Sequence, residues 1–151
     1  MGPNSEKDMT IHYDSDFYGW SQEQASLLRA GHFNELDTEN LLEEIEAMGR
    51  SERRELESRL EKLLAHLLKW KYQDSRRGKS WLLTIKEQRK KFVNCLNENP
   101  SLKNKKEERL VIVYEYAKLS AAKETGITED IFPDTCPWTF EQIMDNEFFP
   151  D

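Results

Sequence analysis

The stretch from Ser51 to Trp81 constrains the fold more than any other part of the chain. Its leucines recur at steps of three and four residues, which places them on one stripe of a helix. The stripe consists of Leu56, Leu60, Leu63, Leu64, Leu67 and Leu68. Ser51 stands where an N-cap is expected, and a helix from there to Tyr72 would be roughly 30 Å long at 1.5 Å per residue. One helix cannot bury such a stripe alone, so other helices must pack against it.

The same spacing predicts two helices before this one. The first runs from about Asp16 to Ala30, with Asp14 or Ser15 as its cap and Gly31 just after its end. The second follows Asp37 as N-cap, and its apolar stripe consists of Leu41, Leu42, Ile45 and Met48. Gly49 is expected to break or bend the chain before Ser51, although a nearly continuous helix is also compatible with the pattern.

Two more main helices follow the leucine helix. After a loop at 73–79, Ser80 is the expected cap of a fourth helix that extends to about Asn97. Asn99 and Pro100 end it, because the residue before a proline avoids the helical region. Ser101 is the expected cap of a fifth helix, which Gly126 stops.

The C-terminal arm, residues 127–151, has a different composition. It contains three prolines and many aromatic residues, and only about Trp138–Asp145 is predicted to be helical. The chain has no strand pattern of period two. The predicted fold is therefore all-α: a bundle of about five main helices, largely antiparallel, with an extended aromatic arm that carries a short sixth helix.

Length and composition predict one domain without a membrane span. Residues 13–151 are expected to form a single helical domain, and residues 1–12 a disordered leader. The chain has no apolar run of about 18 residues, and no signal peptide is expected at its start. These features favour a cytoplasmic protein with no membrane association. Cys95 and Cys136, far apart in the chain, are expected to be free thiols.

The charge is unevenly distributed along the chain. The overall net charge is −7, but residues 69–91 carry nine basic and two acidic residues, a net charge of +7. From Glu124 onward there are eight acidic residues and no basic ones. Such a separation steers association with an oppositely charged surface, unless the acidic arm neutralises the basic segment internally. The candidate interaction surface is Lys69, Trp70, Lys71, Tyr72, Arg76, Arg77, Lys79 and Trp81.

An ordered series of short motifs resembles a family of all-helical bacterial proteins abundant in cyanobacteria, domain-of-unknown-function family 29. The motifs include YDSDFYGW at Tyr13–Trp20, a long charged run at Leu36–Leu60, NPSL at Asn99–Leu102 and ETG at Glu124–Gly126. The resemblance covers about residues 13–150. It implies an all-helical bundle and implies no activity.

A metal centre is the sharpest catalytic hypothesis that the residues allow. His66 lies on the leucine helix, and Glu44, Glu87 and Glu124 lie on three other predicted helices that could meet it. Di-metal bundles normally carry Glu-x-x-His pairs on two helices, and this chain has no such pair. The alternative is that His66 bonds a carbonyl or carboxylate at the edge of the core. No catalytic triad order or phosphate-binding glycine loop supports another chemistry, so no catalytic residue and no cofactor are predicted.

Three functional classes remain. We favour a non-catalytic interaction or regulatory module with an unidentified protein partner. The alternative is a nucleic-acid-associated protein, in which the aromatic rings and cations of residues 69–91 bind a single strand. A metal-dependent enzyme is third. Self-association into a homo-oligomer is compatible with each of them.

Overall fold

The computed structural model describes residues 11–151, which contain five α-helices and no strand. The helices are α1 (Phe17–Ala30), α2 (Thr38–Tyr72), α3 (Lys79–Glu98), α4 (Lys106–Thr125) and α5 (Phe140–Met144). Short 3₁₀ turns lie at Phe33–Glu35, Asp74–Arg76, Pro100–Lys105 and Glu129–Ile131. The all-helical fold class is confirmed. None of the helices described is long and apolar enough to serve as a membrane span.

The described chain divides into two compact units, residues 11–49 and 50–151, and each is described by itself. The single-domain organisation that the sequence predicts stays a prediction. The predicted leader lies outside the described residues except for Ile11 and His12. The amide of Ile11 donates to the Glu23 carboxylate at 2.9 Å, and the carbonyl of His12 accepts from Asp16 N at 3.0 Å.

The first unit is held together by polar contacts around Asp37. Its carboxylate accepts from the Trp20 indole at 2.9 Å and from the Asn40 side chain at 2.8 Å. Its own amide donates to the buried side chain of Gln24 at 2.8 Å. Asp37 is thus the predicted cap of the helix that begins at Thr38. Asp16 caps α1, where the sequence predicted Asp14 or Ser15.

The predicted second and third helices form one continuous helix, α2. It runs without interruption from Thr38 to Tyr72, so Ser51 lies in a helix interior and caps nothing. Gly49 costs helix stability of about 1 kcal/mol relative to alanine, which is too little to end a helix of this length. The described chain therefore has four long helices in place of five main ones.

The second unit encloses an apolar core built on the leucine stripe. All six leucines of the stripe are buried, and Leu63, Leu64, Leu67 and Leu68 are completely so. The helix α3 contributes Ile85, Phe92 and Leu96, and α4 contributes Val113, Tyr114, Ala117 and Ala121. The small residues of α4 allow close approach of the neighbouring leucines. This core therefore satisfies the requirement that other elements bury the stripe.

The starts of α3 and α4 differ from the predicted ones. Gly78 occupies the N-cap of α3, and Ser80 lies inside the helix, where its carbonyl accepts from Thr84 Oγ1 at 2.9 Å. Ser101 lies within the 3₁₀ turn at Pro100–Lys105, and α4 begins only at Lys106. Gly126 ends α4 in the left-handed conformation, with φ 77°, as predicted.

The C-terminal arm is attached to the second unit by a buried arginine and several aromatic rings. Arg89 of α3 is completely buried, and it donates to the carbonyls of Ile143 at 2.7 Å and Phe148 at 2.9 Å. Trp138 and Phe140 are buried, and Phe148 is half-buried. Burial lowers the pKa of the Arg89 guanidinium. Arg89 therefore holds the C-terminal arm through backbone carbonyls.

Candidate interaction surface

The first predicted surface residue, Lys69, is buried rather than exposed. Its ammonium lies 2.5 Å from Oε2 of Glu124 and 5.2 Å from the centre of the Trp81 ring. The hydrogen bond from Lys69 lowers the pKa of the Glu124 carboxyl. One residue of the acidic C-terminal run therefore neutralises the first cation of the basic segment. Lys69 is unsuited to contact a partner from this position.

The aromatic rings of the predicted surface are also partly occupied within the chain. Trp70 packs on Phe149 with ring centres 5.2 Å apart, and Tyr72 packs on Phe132 at 5.3 Å. The guanidinium of Arg77 lies 5.4 Å from the centre of the Trp70 ring, and its Nε donates to the Trp70 carbonyl at 2.6 Å. These rings secure the C-terminal arm, so they offer little free face for stacking.

The exposed cations lie at the end of α2 and along α3. Lys71, Arg76 and Lys79 are exposed among the residues predicted from the sequence, whereas Arg77 and Trp81 are half-buried. Further along α3, Lys86 and Lys90 are exposed as well. None of these five cations forms an ion pair within residues 11–151. The basic segment is therefore only partly neutralised by the rest of the described chain.

Three of these cations lie in a line along the outer face of α3. Lys79, Leu83, Lys86 and Lys90 follow one another at steps of four, three and four residues, so they share one helix face. Leu83 is 51% exposed between two lysines. We call this line the basic face of α3. Lys86 and Lys90 belong to the basic segment 69–91, and their helical spacing is visible in the sequence, but they were not among the predicted surface residues.

The first unit presents an exposed apolar face that is flanked by acidic residues, opposite in sign to the basic face of α3. Leu42, Ile45 and Met48 are 57%, 59% and 61% exposed, and they follow each other at steps of three residues on α2. Residues 11–49 contain nine acidic residues and one basic residue, a net charge of −8. The acidic Glu39 and Glu46 are exposed beside Leu42. We call Glu39, Leu42, Ile45, Glu46 and Met48 the acidic–apolar face of α2.

The four metal candidates each have other contacts. The carboxylate of Glu44 accepts from the Tyr13 hydroxyl, and this bond is the main cause that raises the Tyr13 pKa to about 12. Glu87 pairs with Lys91 at 3.0 Å, and Glu124 pairs with Lys69. No group of three or more His, Cys, Asp or Glu side chains suited to a metal ion occurs in residues 11–151.

His66 forms a hydrogen bond to a backbone carbonyl, which was the predicted alternative to metal binding. Its Nδ1 lies 2.9 Å from the carbonyl of Lys62, one turn earlier on α2. Burial is the main cause that lowers the pKa of the imidazole, and the charge of Lys69 adds to it. His66 is therefore positioned as a neutral, hydrogen-bonded group at the edge of the core.

The two cysteines are free thiols, as predicted. Burial raises the pKa of both the Cys95 and the Cys136 thiol. A raised thiol pKa leaves less thiolate near neutral pH, and the thiolate is the nucleophilic form. Neither thiol is therefore activated for covalent chemistry.

A pocket of about 190 Å³ in the second unit was not predicted. Its apolar lining includes Leu56, Leu60, Phe92 and Phe140, and its basic lining includes Arg53, Lys105, Lys106 and Arg109. The Glu57 carboxylate contacts both Arg109 and, at 4.0 Å, Arg53, so these two cations share one negative charge. Its lining comes from segments distant in the chain, which is why no local motif identified it.

The comparison with family models agrees with the order of motifs along the chain. The model described as "Domain of unknown function DUF29" matches residues 12–149. Comparison with curated proteins and with solved structures yields no match. Since the match spans nearly the whole chain, including both units and the C-terminal arm, the protein belongs to the DUF29 family.

Proposed function

We propose that this protein is a non-catalytic interaction module that binds an acidic protein surface through the basic face of α3. The observation that carries the proposal is the line of Lys79, Lys86 and Lys90, exposed and without ion pairs among the described residues. Leu83 adds an exposed apolar side chain at the centre of this line. Charged groups around an apolar centre are the usual arrangement of a protein-binding surface.

The alternative, binding of a nucleic acid, has less support. Single-strand binding combines cations with aromatic rings on which bases stack. In this chain Trp70 and Tyr72 already pack against Phe149 and Phe132. The overall net charge of −7 also opposes a polyanion at long range. The basic face therefore favours a folded acidic partner, within the cytoplasm that the sequence predicts.

The third hypothesis, a metal-dependent enzyme, would need His66 and the carboxylates to converge. Glu87 and Glu124 are instead paired with lysines, and His66 is bonded to a backbone carbonyl. The interaction module requires none of these groups to change partners. We therefore place the function on the surface of α3.

Affinity capture from native cells tests the proposal. The tagged full chain is compared with a Lys86→Glu/Lys90→Glu variant and with a Lys103→Glu/Lys123→Glu control, which changes the net charge equally at exposed sites off this face. We expect a partner that the wild type and the control retain and that the α3 variant loses. Equal retention by all three proteins would contradict the proposal.

A polyanion column separates the two kinds of partner. A nucleic-acid protein would elute at high salt, with a salt slope that falls by about two when two phosphate-contacting lysines are removed. We expect weak retention of the wild type, because the overall net charge of −7 opposes binding to a polyanion. Strong retention that the α3 variant loses would transfer the function to the nucleic-acid alternative.

A further inference from the structure

The acidic–apolar face of α2 and the basic face of α3 carry matching patterns. On α2 the pattern is Glu39, Leu42 and Glu46, and on α3 it is Lys79, Leu83 and Lys86. In both, a leucine stands between two charges that lie seven residues apart, a distance of roughly 10.5 Å along a helix. The charges on the two faces have opposite sign.

From this match we infer that the protein self-associates, with the acidic–apolar face of one copy seated on the basic face of a second copy. The inference rests on the proposed function, since it names the acidic partner of the basic face. A second copy of this chain is the partner that matches the basic face in charge and in residue spacing.

The position of each leucine between its two charged neighbours favours an antiparallel contact between the two helices. On α2, Leu42 lies three residues after Glu39 and four before Glu46, whereas on α3 Leu83 lies four residues after Lys79 and three before Lys86. An antiparallel alignment therefore sets Glu39 opposite Lys86, Leu42 opposite Leu83 and Glu46 opposite Lys79 in one register. A parallel alignment displaces the leucines by one residue, about 1.5 Å.

The exposed side chains give this contact an apolar centre. Leu42 and Leu83 are 57% and 51% exposed, and Ile45 and Met48 extend the apolar area on α2. Ion pairs at the rim of such a contact mainly determine register and rate of association, while the apolar centre supplies affinity. Neither Glu39 nor Glu46, and neither Lys79 nor Lys86, forms an ion pair within residues 11–151. All four charges are thus available to the second copy.

The same chain can serve as the partner, because each copy carries both faces. Two copies therefore present two complementary pairs of faces. The first described unit has a net charge of −8 and residues 69–91 have a net charge of +7, so each pair of faces joins surfaces of opposite charge. An unrelated partner would cover only one of the two faces.

A charge exchange between two variants tests the inference. The first variant, Lys79→Glu/Lys86→Glu, makes both faces acidic, and the second, Glu39→Lys/Glu46→Lys, makes both faces basic. Sedimentation velocity of the full chain over a range of concentrations measures the oligomeric state. We expect a wild-type dimer, two monomeric variants with dimer Kd raised more than about tenfold, and a restored dimer on equimolar mixing. The restored dimer contains one copy of each variant, because only that combination brings opposite charges together at both contacts.

Three controls keep the test independent of folding. Lys103→Glu/Lys123→Glu adds the same charge away from both faces and should leave the dimer intact. Leu42→Asp removes the apolar centre from one face, and we expect this variant alone to be monomeric at concentrations at which the wild type is dimeric. Far-UV circular dichroism should match the wild type for every variant, because all substituted side chains are exposed.

The outcomes separate this inference from the proposed function. A wild type that is monomeric at all concentrations, or variants that fail to pair on mixing, would overturn self-association. If the α3 charge variant nevertheless loses a captured partner, the proposed function stands with a different acidic partner. A dimer that survives both charge variants would place the contact elsewhere on the molecule and overturn the inference as well.

Discussion

The two units of this protein use the same apolar periodicity with opposite results. In the second unit the leucines at steps of three and four are completely buried, as at Leu64 and Leu67. In the first unit Leu42, Ile45 and Met48 continue this periodicity on the same helix, and each is more than half exposed. An apolar stripe therefore indicates that a helix face needs a cover, but it does not indicate that the chain itself supplies one.

The units also differ in what holds them together. The buried residues of α1 are Trp20 and Gln24, and both are tied to Asp37 by hydrogen bonds. The second unit instead closes an apolar core with residues from three long helices and the C-terminal arm. The hydrogen bonds around Asp37, which we call the polar hub, fix the orientation of the groups that they join. Burial of apolar surface in the second unit contributes most of the favourable free energy of folding.

The largest expected difference between the units is the effect of truncating an apolar side chain. Leu64→Ala should lower the free energy of unfolding by roughly 2–5 kcal/mol, because it opens a cavity in a closed core. Ile45→Ala, the matched control on the same helix, should change it by less than about 0.5 kcal/mol. Urea denaturation of both variants, monitored by circular dichroism at a protein concentration that favours the monomer, measures the two values. Equal effects would show that the face on α2 is covered.

The next prediction concerns the arginine that holds the C-terminal arm. Arg89→Leu should destabilise the second unit by about 1–3 kcal/mol, because the carbonyls of Ile143 and Phe148 lose their donors. Hydrogen exchange should then rise in residues 140–149 before it rises elsewhere in the second unit. Lys90→Leu, the exposed neighbour, is the matched control and should leave exchange in the arm unchanged. Unchanged exchange in the arginine variant would assign attachment of the arm to its aromatic rings alone.

A smaller effect is expected at the polar hub of the first unit. Asp37→Asn removes the charge that accepts from Trp20 and Asn40, and it should cost about 1 kcal/mol. Local hydrogen exchange in α1 and the start of α2 measures this loss. Ser26→Ala, at an exposed site of α1, is the control. An equal change in exchange within the second unit would contradict a role confined to the first unit.

The pH dependence of the hub follows from the Asp37 carboxyl. Burial opposes its ionisation, but the hydrogen bonds from Asn40 and Trp20 prevail and lower its pKa. A group whose pKa is lower in the folded state stabilises the fold above its unfolded pKa, and this stabilisation is lost as the pH falls through the folded pKa. Acid should therefore raise hydrogen exchange in the first unit of the wild type, and the Asp37→Asn variant should lack this component.

The smallest effect is expected at the ion pair between Lys69 and Glu124. Glu124→Gln keeps a hydrogen-bond acceptor and removes a carboxylate that is about half exposed, so the loss should be below about 1 kcal/mol. The same substitution should also lower the pKa of His66 further, because the Glu124 charge favours the protonated imidazole. Proton NMR titration of His66 measures this shift. A pKa that does not move would indicate that the two side chains do not interact.

Local rules correctly placed most helix ends. Gly31 and Gly126 end helices because both adopt the left-handed backbone that glycine permits. Of the two readings at Gly49, the break did not occur and the continuous helix is observed, because one glycine inside a long helix costs only about 1 kcal/mol. Ser80 and Ser101 were assigned as caps by residue type alone, whereas α3 begins at Lys79 after Gly78 and α4 begins at Lys106 after a 3₁₀ turn.

The candidate interaction surface was also only partly predictable from the sequence. The positive charge of residues 69–91 is a property of composition and was predicted directly. Which cations stay exposed was not, because Lys69 is neutralised by Glu124, 55 residues away in the chain. The rings of Trp70 and Tyr72 likewise find their partners in the C-terminal arm.

The sequence by itself determined the helical class, the leucine stripe, the charge separation and the family, because each depends on residue type and on spacing within a few turns. Only the tertiary structure decided that Arg89 bonds carbonyls, that Lys69 pairs with Glu124 and that the lysines of the basic face stay exposed. These features depend on which distant segments meet, and burial then changes the free energy of a charge or an apolar group. Identical local patterns, such as the apolar stripes in the two halves of α2, consequently end in different environments.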